Sequence, residues 1–176
     1  MLNIVAFGAS SSQNSINRKL AHFAARSVPN ATINLLDLND FEMRLYSTDR
    51  EKEGVPDKAF EFKKQLQSGD GIIISFAEHN GAYTTAFKNI FDWISRLDKP
   101  IWCGKPMFIL STSTGIRGGK TVLDLAHLRL SRDNPKIPTF SLPSFKETFD
   151  EKKGIIDAKL LQDFHKSLKV FLGQLD

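Results

Sequence analysis

The feature that most constrains this chain is a switch repeated along its length between two apolar patterns. Short apolar runs of strand length alternate with longer stretches whose apolar residues recur at helical spacing. The clearest run, residues 72–76, lies between Gly69-Asp70-Gly71 and a polar break beginning at Ala77. Further strands are expected at 2–7, 31–38, 105–111 and 137–142. Helices are expected at 15–27, from Pro56 through Leu66, from Ala86 through Leu97, from Val122 through Leu128, and from Leu161 through Phe171. Five strands alternating with five helices predict an α/β protein. Its form is a three-layer, doubly wound sandwich around a five-stranded parallel sheet, because right-handed crossovers place the helices on both faces. Residues 37–55 are rich in charge and poor in periodicity, and read as a long surface loop flanking a binding site or subunit contact, or as a solvated insertion.

Composition narrows the function classes. The 176 residues are 41% hydrophobic and 25% charged, which fits one globular domain spanning 1–176. Twenty-four Lys and Arg against twenty Asp and Glu give +4, spread too evenly for a nucleic-acid footprint. Cys103, the single cysteine, has no partner for an internal disulfide, and no Cys or His cluster has metal-ligand spacing. The first residues lack the basic stretch of a secretory signal, and no apolar run approaches the roughly 20 residues of a membrane span. A cytoplasmic protein without metal, membrane or nucleic-acid partner is expected.

In such sheets ligands bind beyond the carboxyl ends of the strands, which directs attention to three loops. After the first strand comes Gly8-Ala9-Ser10-Ser11-Ser12-Gln13-Asn14-Ser15-Ile16-Asn17, where small hydroxyl and amide side chains lead into a helix. Unpaired N–H groups at a helix start and short hydroxyl donors hold a phosphate without a lysine. An ordinary N-cap is the plain alternative, but four serines and two asparagines exceed what a cap needs. Neither GxGxxG nor GxxxxGK[ST] occurs, which disfavours dinucleotide binding of the Rossmann kind and triphosphate hydrolysis. The loop after the third strand, Ala77 through Tyr83, offers backbone donors at a sharp turn. That after the fourth, Ser111-Thr112-Ser113-Thr114-Gly115-Ile116-Arg117-Gly118-Gly119, has glycines that admit a flat ring.

Four motifs in order along the chain carry a family resemblance: residues 10–17 continuing into Arg18-Lys19-Leu20-Ala21; 70–74 running into Glu78-His79-Asn80-Gly81; Phe87-Lys88-Asn89-Ile90-Phe91-Asp92-Trp93; and 113–119. On these the sequence resembles the NADPH-dependent FMN reductases, flavodoxin-like oxidoreductases that include quinone, azo-dye and chromate reductases. The resemblance implies an FMN cofactor with NAD(P)H as co-substrate. It assigns the phosphate to Ser10, Ser12, Ser15, Ile16 and Asn17, the isoalloxazine ring to Glu78, His79, Asn80 and Gly81, and the ring's other edge to Ser113, Gly115 and Gly118. The family commonly has Arg where Ser12 stands, Pro where Ala77 stands and Tyr where His79 stands.

The resemblance further implies hydride transfer from NAD(P)H through FMN to a quinone, free flavin or similar small acceptor, in a homodimer or homotetramer. No side chain is expected to act as a catalytic acid, base or nucleophile, since the flavin carries the redox chemistry. His22, His127 and His165 read as solvated helix residues, and 151–153 as a solvated turn. The alternative from another class is a flavodoxin-type electron carrier, which resembles a strongly acidic chain with a Thr-rich first loop; this chain is basic and Ser-rich. A phosphate-binding module without flavin is the third reading.

Overall fold

A computed structural model describes residues 1–175; Asp176, the last residue of the expected domain, lies outside them. In chain order the elements are β1 (Leu2–Ala9), α1 (Ile16–Arg26), β2 (Ala31–Leu36), α2 (Thr48–Lys52), α3 (Asp57–Ser68), β3 (Gly71–Phe76), α4 (Thr85–Ile94) and β4 (Met107–Thr112). They continue with α5 (Lys120–Leu130), β5 (Thr139–Leu142), α6 (Phe145–Thr148), β6 (Phe149–Asp150), β7 (Gly154–Ile155) and α7 (Ala158–Leu172). The main sheet is parallel throughout, in the order β2-β1-β3-β4-β5. The expected flavodoxin-like sandwich is what forms. The chain winds outward from β1 to β2, then returns to place β3 on the other side of β1. That reversal opens the crevice where the site is sought.

Strand alternation sends successive side chains to the two helical layers. In β1, Ile4 and Ala6 pack with α1 and α7, whereas Val5, Phe7 and Ala9 pack with α3, α4 and α5. Burial on both faces explains why β3 and β4 read as continuous apolar runs. One charge enters this core. Lys63 on α3 is 3% exposed, and its ammonium donates to the carbonyls of Asp98, Pro100 and Ile101 at 3.2, 2.9 and 2.9 Å, which pins the chain before β4.

Residues 37–55 differ from the expected long loop. They hold a 3-10 turn, Leu38–Phe41, whose Leu38 and Phe41 enter the core, and the short helix α2. Helix α4 fastens the stretch between them. Asn89 accepts from the Tyr46 amide at 2.8 Å and donates to the carbonyls of Met43 and Arg44, while the indole of the fully buried Trp93 donates to the Arg44 carbonyl at 2.7 Å. This gives Asn89 and Trp93 of the third motif a structural reason. Low periodicity misled the reading because a 3-10 turn and a five-residue helix carry too few turns to show one. The expected turn at 151–153 is the tip of the β6–β7 hairpin.

Candidate functional site

The loop after β1 is shaped by close approach. A Cβ on Gly8 would lie 2.4 Å from the Arg18 amide nitrogen, so only glycine lets the first turn of α1 sit against the end of β1. Ser15 caps that turn, its hydroxyl accepting from the Arg18 amide at 3.2 Å, and the Ser10 hydroxyl accepts from the Ser12 amide at 3.1 Å. The amides of Ser11, Gln13, Asn14, Ile16 and Asn17 have no hydrogen-bond partner among the described residues. Several converge at the positive end of a helix dipole, which is the donor set an anion needs. Arg18, the nearest cation in sequence, turns its guanidinium to Asp37 at 2.9 Å.

Asn17 departs from its expected part as a side-chain phosphate ligand. Its side chain is buried beneath the loop, accepting from the Ser75 hydroxyl at 2.7 Å and the Thr112 amide at 3.0 Å, and donating to the Thr112 carbonyl at 3.0 Å. One amide thus ties α1 to β3 and β4, and only the Asn17 backbone N–H remains for a ligand.

After β3, His79 and Ala82 exchange backbone hydrogen bonds at 3.0 and 3.1 Å around Asn80 and Gly81, whose φ values of 52° and 74° make a two-residue turn of the Asn-Gly type. The Asn80 and Gly81 amides carry no partner among the described residues, and the turn stands exposed. Beside it, the Thr84 hydroxyl caps α4 and donates to the Ala9 carbonyl at 2.9 Å, so this turn and the end of β1 are held together. Glu78 takes a part not expected: its carboxylate accepts from the Val122 amide at 3.0 Å, at the start of α5. Gly119, the residue before α5, offers no side chain to cap that helix, and Glu78 satisfies one of its open amides.

After β4, the residues expected to meet the ring edge are engaged in the loop itself. Ser113 and Gly115 share hydrogen bonds at 3.3 Å, and their carbonyls accept from Phe145 and Ser144, each at 3.0 Å. Gly118 is buried with φ 58°, and a Cβ there would lie 2.5 Å from the Ser141 hydroxyl oxygen and 2.8 Å from the Pro143 nitrogen. Its carbonyl accepts from Ser111 and Ser141 at 2.8 and 3.0 Å. Gly118 is therefore a packing glycine rather than a ring contact. The amides of Ser113, Thr114, Ile116, Arg117 and Gly119 stay without partner among the described residues, and of these the sequence singled out Ser113 alone. A clue was present in Ile116, an isoleucine amid polar residues that proves 88% exposed.

Unpartnered donors from three loops thus face one sheet edge, the first set at a helix N-terminus and the others on turns a flat ring can approach. These features suit a phosphate joined to a planar heterocycle, as in FMN. No group of three or more His, Cys, Asp or Glu residues that could hold a metal is present among the described residues. No described helix is long and apolar enough to cross a membrane.

Comparison with known proteins agrees with this geometry. Residues 2–138 match the model of the family described as NADPH-dependent FMN reductase. A 2-hydroxy-1,4-benzoquinone reductase from a Burkholderia species is 31% identical, covering 98% of this chain and 93% of that protein. An NADPH:quinone oxidoreductase of Arabidopsis thaliana is 30% identical over 74% of this chain and 68% of its own length. Among solved structures, the flavoenzyme NAD(P)H:(acceptor) oxidoreductase of Paracoccus denitrificans superposes with a TM-score of 0.78 at 20% identity, covering 99% of this chain and 97% of that one, a likeness of fold. The chain belongs to the NADPH-dependent FMN reductase family and is an oxidoreductase with FMN as cofactor and NAD(P)H as co-substrate.

Proposed function

We propose that residues 1–176 form one flavodoxin-like unit that holds FMN across the three loops and passes reducing equivalents from NAD(P)H to a quinone, free flavin or similar small acceptor. The observation that carries this reading is the set of unpartnered amides at the start of α1. Ile16 and Asn17 would hold the phosphate through backbone N–H groups, with the hydroxyls of Ser10, Ser12 and Ser15 adding donors. His79, Asn80 and Gly81 would form the ring platform. Glu78 acts behind them by fixing α5. The loop from Ser113 to Gly118 would close the other edge, through the amides of Thr114, Ile116 and Arg117 rather than through Gly118.

Bound FMN supplies the two-electron chemistry, so the protein has only to bind, orient and polarise. Oriented backbone donors do this without titrating. Burial pushes the Tyr83 phenol up to about 12, and the nearby Arg129 only partly offsets it, so this hydroxyl, facing the space between α4 and α5, stays protonated across the working range.

The expected homodimer or homotetramer is supported by the face between α4 and α5. A cavity of about 390 Å³ there is lined by Tyr83, Phe91, Leu125, Leu128 and Arg129. Leu128 is 65% exposed, and the buried Tyr83 hydroxyl has no partner among the described residues. A second copy of the chain would cover both. Retention in a reducing cytoplasm is consistent with the lone Cys103.

Anaerobic addition of stoichiometric NADPH to the purified protein tests the reading. Flavin absorbance should bleach without a partner protein and return when a quinone is added. A flavin that stays oxidised until a separate reductase is supplied would favour the electron carrier, and a colourless protein that takes up no FMN would reject both.

A further inference from the structure

The β6–β7 hairpin leans on α1 away from the flavin edge, and the fit between them is specific. A Cβ on Gly154 would lie 2.0 Å from the Phe23 ring, and Gly154 has φ 82°, so only glycine seats the hairpin this closely. Phe149 meets Phe23 edge to face at 5.7 Å and stacks on Phe145 at 4.7 Å. The seam borders an open cavity of about 410 Å³ whose apolar wall is Phe23 and Phe149.

Most of the remaining lining is basic. Lys19, His22 and Arg26 recur at helical spacing along α1 beside Phe23, while Lys152 and Lys153 project from the hairpin tip. Their backbone amides donate to the Asp150 carboxylate at 2.9 and 2.8 Å, which fixes the tip and engages that carboxylate with the main chain. Four permanent cations therefore face one carboxylate in the lining, that of the exposed Glu151, which pairs with Lys19. His22, read from sequence as solvated, is half-buried. Burial and the charges of Arg26 and Arg18 hold its imidazole below the usual range, which leaves it neutral and able to accept a hydrogen bond.

We propose that this cavity is a second binding site, separate from the flavin edge, for a phosphorylated planar ligand of mononucleotide size. Arg26, Lys152 and Lys153 provide charge-assisted hydrogen bonds to the phosphate. Phe23 and Phe149 give the heterocycle a face to lie against, since aromatic side chains stack on any base. The volume falls in the range of small-molecule pockets and exceeds what a bare phosphate fills. Lys19 lies two residues beyond the phosphate loop on the same helix, so occupancy here bears on α1 without using the open amides at its N-terminus.

Calorimetric titration of 5′-AMP into the FMN-loaded protein tests the site, with adenosine, inorganic phosphate and anionic phosphatidylglycerol vesicles as parallel probes. We expect one AMP per chain, with adenosine and phosphate each bound at least tenfold more weakly. The double variant Arg26→Gln/Lys153→Gln, both positions exposed and outside the flavin loops, should lose at least tenfold in AMP affinity while keeping its FMN content and its bleaching by NADPH. AMP binding that the double variant leaves intact would place the ligand elsewhere and overturn the proposal. Phosphate binding as tight as AMP would reduce the cavity to an anion patch. Vesicle binding that the double variant abolishes, without AMP binding, would make the seam a membrane-facing surface instead.

Discussion

The loop after β1 and the loop after β4 are both built largely from small residues, serine and asparagine in the first and serine, threonine and glycine in the second, yet their hydrogen bonds are used differently. In the first, the amides of Ile16 and Asn17 and three of their neighbours stay without partners among the described residues, and the folding effort lies underneath, in Gly8 and the Asn17 side chain. In the second, Ser113, Gly115 and Gly118 bond to one another, to the segment after β5, and to Ser111 and Ser141. Such a stretch therefore offers a ligand only the donors that remain open, at the helix start in the first loop and at residues such as Thr114, Ile116 and Arg117 in the second, and composition alone does not show which.

Gly118→Val should produce the largest effect. A branched side chain would meet Ser141 and Pro143 at positive φ, and the sum of overpacking and backbone strain is on the order of 4 kcal/mol. Gly115→Ala is its control. The nearest atom to a Cβ there is 3.8 Å away, so urea unfolding should move by less than about 0.5 kcal/mol. Equal losses at the two glycines would dissolve the distinction drawn within this loop.

Asn17→Ala comes next. It leaves the Ser75 hydroxyl and both backbone groups of Thr112 without their buried partner, a loss of about 2 to 3 kcal/mol in the stability of the apoprotein. A variant that unfolds at the wild-type urea concentration but releases FMN would return Asn17 to the role of direct side-chain ligand.

These two residues show how far the sequence could be read. Strands and main helices were legible because burial on both faces of β3 and β4 writes continuous apolar runs, and because α1, α4 and α7 carry clear amphipathic stripes. Strand ends shifted by a residue or two, β2 closing at Leu36 and β5 opening at Thr139. The three loops were legible as well, since topology alone sends ligands to that edge. What escaped was the direction each side chain takes. Nothing local distinguishes an asparagine aimed at a ligand from one aimed at Ser75, 58 residues away, and nothing local shows that Gly118 faces Pro143. Open amides are legible at a helix start, where the first N–H groups have no intrahelical partner, but not in turns such as those after β3 and β4, where they depend on how the chain closes.

Ser12→Arg sharpens the first half of the comparison. With Arg18 drawn to Asp37, the phosphate loop lacks a permanent cation, so an arginine at the exposed Ser12 should tighten FMN by about 1 kcal/mol, roughly fivefold, at low salt. High salt should remove most of that gain, because an exposed pair is screened. No change in fluorescence titrations at either salt would show that the phosphate is out of reach of residue 12.

The smallest effect concerns the turn after β3. Asn80→Ala places alanine at a φ of 52°, where asparagine is better tolerated, and should cost about 0.5 to 1 kcal/mol in stability with a several-fold loss of FMN. Asn80→Gly should restore the stability by accepting that φ. If FMN affinity also returns fully with glycine, Asn80 serves the ring through its backbone alone.

The central claim, that the open amides at the start of α1 hold the FMN phosphate, is tested most directly by titrating apoprotein with FMN and riboflavin under identical conditions. The two ligands share the ring and differ in the phosphate, which carries roughly −1.5 to −2 charge near pH 7. FMN should bind far more tightly than riboflavin, and added inorganic phosphate should weaken FMN binding. Equal affinity for the two ligands would place the phosphate outside this loop and contradict the account.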